Sequence, residues 1–152
     1  MKKIILLLLL ITVSCKSQSN SEKSVNSMIN LLDNKSVLIN INYTTNYVLD
    51  KDAQRVIELN SDDKLKLLVQ NLLIEDKALV SHIILTKLLE PTKDNFSYKY
   101  NYDAKGDVVS TTYSLNNLSW QYDDEHQRNK IVIYNKQTLY DYWSEKIKNW
   151  KK

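Results

Sequence analysis

The chain has 152 residues, with 21 Lys and Arg against 18 Asp and Glu, and only one glycine (Gly106), one proline (Pro91) and one cysteine (Cys15). A Walker loop, a dinucleotide-binding G-x-G-x-x-G and a G-x-S-x-G nucleophile elbow each need at least two glycines, so none occurs in its usual form. One cysteine gives no internal disulfide and no cysteine-based zinc knot, His82 and His126 make no H-E-x-x-H, and Arg55 and Arg128 in a near-neutral chain make no basic stripe for nucleic acid.

In chain order, Lys2 and Lys3 precede a ten-residue apolar run, Ile4 to Val13, followed by Ser14 and Cys15. That length falls within the roughly 7 to 15 residues of a secretory signal core and short of the roughly 20 that cross a bilayer. Thr12-Val13-Ser14-Cys15 resembles the lipobox of bacterial lipoproteins, with Thr12 where leucine is usual. The resemblance implies that residues 1–14 are a signal peptide, that cleavage occurs before Cys15, and that Cys15 carries acyl chains on its sulfur and its amine. Two or three chains at about 0.8 kcal/mol per buried methylene make such an anchor lasting. Because Lys16 rather than aspartate follows Cys15, and no acidic run comes after it, the resemblance further implies an outer-membrane anchor with the domain facing the periplasm. Loss of Lys2 and Lys3 leaves 19 basic residues against 18 acidic, a formal +1.

Lys16 to Ser24 has nothing apolar to bury and is expected to be a solvated tether of about 15 to 18 Å, so that residues 15–24 join the anchor to one α+β domain over 25–152. Ser24 caps a predicted helix with Val25, Met28, Ile29 and Leu32 on one face, and Val37, Ile39, Ile41 and Tyr43 alternate as a strand does. From Tyr47 to Leu59 two readings stand: a helix begun by Asp50, carrying Ala53, Val56 and Ile57, or a loose hairpin through Asp50 to Gln54. Asp62 and Asp63 open a helix striped by Leu65, Leu68, Val69 and Leu72; after Glu75 and Asp76 a more apolar helix runs from Lys77 to about Leu89, stopped by Pro91.

Beyond Pro91 the apolar period changes to two. Phe96, Tyr98, Tyr100 and Tyr102 alternate with polar residues, Asp103 to Gly106 turns, and Val109, Thr111, Tyr113 and Leu115 return on the same face. Asn116-Asn117 then sets Leu115 against Leu118, Tyr113 against Trp120 and Thr111 against Tyr122, and a polar tip from Asp123 to Asn129 leads back through Ile131 and Ile133. The expected architecture is a helical N-terminal half and a four-stranded antiparallel meander over about 96–134. A C-terminal amphipathic helix through Leu139, Tyr142, Trp143, Ile147 and Trp150 is expected to cover the meander. Residues Tyr100 to Val109 also resemble one unit of the tyrosine-aspartate repeats of large secreted toxins, which implies no more than hairpin geometry.

Three groups of residues are candidates for chemistry. His126 beside Asp123, Asp124 and Glu125 has the donors of a cation site or an acid–base pair, and also the composition of a solvated turn. His82 lies among apolar helix residues, where a core histidine is the simpler reading. Tyr98, Tyr100, Tyr113 and Trp120 are either the sheet's core face or a binding surface, since tyrosine and tryptophan dominate binding hot spots. Together these features point to a membrane-tethered, non-catalytic protein-binding module with no cofactor and no metal, an immunity-type lipoprotein being one instance. A small envelope hydrolase using His82 or His126, and a structural envelope component, are the alternatives.

Overall fold

The two readings of Tyr47 to Leu59 resolve at Asp50, whose carboxylate accepts the Ala53 amide at 2.8 Å and starts a helix. The computed structural model describes residues 24–40, 46–61, 63–122, 131–133 and 135–150, so the Cys15 lipobox and the His126 cluster lie outside the described residues. Helix α1 covers 24–31 and buries Val25 and Ile29. Strand β1 (Val37–Asn40) pairs antiparallel with β2 (Asn46–Leu49), and α2 (Lys51–Glu58) then buries Ala53 and Val56. The N-terminal half is thus mixed rather than helical: short alternating strands on either side of 41–45 pair with each other before Asp50 starts α2.

Helix ends need partners for their orphan carbonyls and amides, and two side chains from other elements supply them. Lys64 of α3 (Asp63–Asn71) donates to the carbonyls of Ile57, at 2.8 Å, and Leu59, closing the end of α2. Helix α4 (Ala78–Leu89) has no side-chain cap at its own start. Asn34 serves it instead, its carbonyl accepting the Leu79 amide at 3.0 Å while its NH2 donates to the Glu75 carbonyl at 2.8 Å. Every residue from Ala78 to Thr86 is buried, which makes α4 the centre of the molecule.

The larger sheet follows the order β3-β4-β5-β6, with strands Ser97–Tyr102, Val108–Leu115, Leu118–Tyr122 and Ile131–Ile133, all antiparallel. Gly106 takes φ +89°, and Asn116 and Asn117 take +40° and +69°, the paired left-handed conformations of a two-residue hairpin turn. The register sets Tyr98 against Tyr113, Tyr113 against Trp120 and Leu115 against Leu118, so one face carries all of them. A bulge between Asn101 and Tyr102, which alternation alone does not foretell, shifts Tyr102 onto Val108.

Helix α5 (Lys136–Lys148) packs mainly along α3 and α4 instead of across the meander. The physical reason is its narrow apolar stripe: only Leu139 and Trp143 are fully buried, and the Trp143 indole donates to His82 Nδ1 of α4 at 3.0 Å. Trp150 lies past the helix end and stays exposed. Among the described residues no helix is long and apolar enough to cross a membrane.

Candidate functional site

The aromatic face has a buried part and an exposed part. The buried part is core: Tyr113 is 6% exposed and Trp120 0%, stacked at 5.9 Å and joined by Phe96, which also meets Tyr47 edge-on at 5.7 Å. Tyr113 and Trp120 are therefore not surface contacts, because Leu115 and Leu118 seat that part of the sheet against the helices, where the Leu115 carbonyl accepts from His82. The exposed part is surface. Tyr98, Tyr100 and Tyr102 are 44%, 39% and 61% exposed, and Val108 and Val109 on the facing strand are 53% and 56% exposed.

Position in the sheet explains the division: Tyr98, directly opposite Tyr113, lies on the outer strand β3, and Tyr100 and Tyr102 follow it along that strand. Among the described residues, β4 pairs with β5 from Thr112 to Leu115. Among the described residues, the part of the β3–β4 hairpin beyond Thr112 therefore has no third strand beside it. A two-stranded ribbon alone in water is marginal. Here it is stiffened on one side by a row of tyrosines, Tyr98 edge-on to Tyr100 at 5.3 Å and Tyr100 to Tyr102 at 6.5 Å. On the other side Asn101 donates to Ser110 and Thr112, both at 2.9 Å, and Gln121 donates to Thr112 at 2.7 Å. At the tip the Asp103 carboxylate accepts the amides of Lys105 and Asp107 at 2.8 and 2.9 Å. The result is a stiff arm with an aromatic and aliphatic face. Tyr102, Val108 and Val109 belong to that surface and are not among the candidates drawn from the sequence; their exposure, which alternation alone does not give, is the signal that finds them.

His82 is a satisfied core histidine. It is fully buried, its Nε2–H donates to the Leu115 carbonyl at 3.0 Å, and its Nδ1 accepts the Trp143 indole at 3.0 Å, so neither nitrogen is left for a substrate. Burial pushes its pKa down to about 4, against smaller opposing effects of the Leu115 carbonyl and Glu90.

A polar junction lies on the other side of α4. Glu90 sits at the negative end of the α4 dipole, the wrong end for a carboxylate, and cations gather around it. Lys146 approaches at 2.5 Å, Lys93 at 3.1 Å and Asn116 at 3.2 Å, and the Tyr142 hydroxyl also donates. Burial pushes the Glu90 carboxyl up, but the hydrogen bonds from Lys146, Tyr142, Asn116 and Lys93 outweigh it and hold the group at about 2. A general base needs a pKa near the working pH, so this shift suits a structural clamp joining α4, the Asn116 turn and α5. An open cleft of about 310 Å³ beside it is lined by Tyr142, Glu145, Lys146 and Asn149. Tyr47 donates to Asp94, which also pairs with Lys87 at 2.8 Å; burial and that hydrogen bond push the Tyr47 phenol far above its ordinary range.

Among the described residues no three His, Cys, Asp or Glu side chains gather as a metal site. No protein-family model, curated protein or solved structure matches the chain, so the tyrosine arm stands as the candidate site on its own geometry.

Proposed function

We propose that this chain is a lipid-anchored cell-envelope protein, held in the outer membrane by acyl chains on Cys15, whose globular part is a non-catalytic protein-binding module facing the periplasm. The observation that carries the binding reading is the solvent-facing row of Tyr98, Tyr100 and Tyr102 on the outer strand β3, each ring edge-on to the next. Tyrosines on a rigid support bury much area at small entropic cost and recur at binding hot spots. On this reading the meander over about 96–134 is the scaffold that presents the row, while Tyr113 and Trp120 anchor it to the core. Immunity-type lipoproteins, which neutralise a toxin, are one occupation within this class. The engagement of both His82 nitrogens weighs against the hydrolase alternative at that residue.

Replacing Tyr98, Tyr100 and Tyr102 together by serine is expected to weaken partner capture from envelope extract at least about tenfold, as loss of one strong hot spot does, with the denaturation midpoint little changed. Equal capture by wild type and triple variant would remove the arm from the binding reading. The anchor is tested by metabolic labelling with an alkyne fatty acid: wild type is expected to take up label and Cys15→Ala to take up none, and equal labelling of the two defeats the proposal.

A further inference from the structure

Among the described residues, strand β3 is an edge strand with nothing paired along its outer side. Ser97, Tyr98, Lys99 and Tyr100 are all exposed, whichever face they point to, and among the described residues β3 pairs only with β4. Proteins that stay monomeric usually blunt such an edge with proline, several charges or a bulge at its centre. Here the strand has no proline and a single charge, Lys99, and the bulge of the hairpin lies on β4, at Val109, opposite the far end of β3 between Asn101 and Tyr102.

The sequence of the strand is also its own complement. Antiparallel pairing keeps like faces together only when opposed residue numbers differ by an even step, which leaves three central registers. Centring on Lys99 sets lysine against lysine, which repels. Centring on Asn101 draws Asp103 and Ala104 into the ladder, but Asp103 is committed to the turn, accepting the Lys105 and Asp107 amides and donating its own N–H to the Asp107 carbonyl. Centring on Tyr100 opposes Tyr100 to its copy, Tyr98 to Tyr102 and Lys99 to Asn101, with no like charges facing. We propose that β3 pairs antiparallel with β3 of a second copy of this chain in that last register. The two four-stranded sheets then continue as one, and their tyrosine rows merge into a single six-tyrosine face, wider than either arm presents alone.

An edge-to-edge contact of five residues from each copy, Tyr98 to Tyr102, falls short of the roughly 1,000 Å² expected of a stable interface, so the pairing is concentration-dependent. It goes beyond the proposed function and is separable from it, because pairing uses the backbone edge while a partner uses the tyrosine face. Failure of the test below leaves the capture result untouched, and the reverse holds as well.

Two differently tagged full-length chains, one Lys99→Cys and one Asn101→Cys, are co-expressed and oxidised in the intact envelope. Directly opposed positions fall within disulfide reach, while diagonal ones about 7 to 8 Å apart fall outside it. The mixed disulfide is therefore expected severalfold above the like-with-like product of either variant, and above any product of Cys15 in wild type. Adding Tyr100→Lys to both chains, which places lysine on lysine at the dyad, is expected to abolish it. Absence of the mixed product, equal yields of mixed and like products, or persistence of the mixed product with Tyr100→Lys would each overturn the proposal.

Discussion

Trp143→Ala is expected to lower the unfolding free energy by about 3–5 kcal/mol, the range for emptying a buried aromatic site. Against the roughly 5–15 kcal/mol that hold a typical domain together, such a loss leaves the protein close to unfolding at 37 °C. Trp143 is 0% exposed, packs edge-on to His82 at 5.8 Å and to Tyr142 at 5.0 Å, and is with Leu139 one of two fully buried residues of α5. Its removal takes away both the helix's main anchor and the donor to His82. Trp143→Phe separates the two contributions. It restores most of the ring volume but leaves His82 Nδ1 a buried acceptor without its donor, which costs about 1–3 kcal/mol. Urea midpoints in the order wild type, Phe, Ala are expected; equal midpoints for Phe and Ala would mean that the hydrogen bond, not the packing, sets the loss.

The second large effect is acid sensitivity. The His82 pKa is about 4 in the folded chain against an ordinary 6.5, so below pH 6.5 the unfolded chain binds a proton that the folded chain refuses. Stability contributed by the neutral ring is whole above pH 6.5, falls as the pH drops towards 4, and falls no further below that. At about 1.4 kcal/mol per pH unit the gap amounts to roughly 3 kcal/mol. Protonation also turns Nδ1 into a donor facing the donor of Trp143. Glu90, held at about 2, loses its contribution in the separate window from pH 4.5 down to 2. The raised Lys93 and Lys146 act only above their ordinary 10.5. Unfolding free energies measured between pH 7 and 4 are expected to fall steeply in wild type and to flatten in His82→Gln, whose amide presents one donor and one acceptor to the same two neighbours. A slope that survives His82→Gln would assign the acid sensitivity to another group.

The sheet was the most legible part of the chain because its information is local. A period of two from Phe96 onward fixes which residues share a face, and Asn116-Asn117 fixes the register of the second hairpin, so Tyr113 opposite Trp120 and Leu115 opposite Leu118 follow directly. The helix ends were legible where a cap is a neighbour, as at Asp50, and hidden where it is not, as with Asn34 and Lys64. Periodicity told which face of α5 is apolar but not what receives it. That depends on one indole finding His82 from 61 positions away. The same limit applies to the tyrosines, for alternation puts Tyr98 and Tyr113 on one face with equal weight. Only their places in the sheet, Tyr98 on the outer strand β3 and Tyr113 on β4 between β3 and β5, leave the first exposed and the second buried.

The hydrogen bonds of Asn34 have a bearing on how the protein is broken down. Its carbonyl holds an amide 45 positions downstream, so the most deeply buried helix depends on a residue near the start of the fold. A protease that clips the chain just after Asn34 would therefore not merely trim a loose leader. It would free the opening turn of α4 to fray, and one nick would spread from there into the body of the fold.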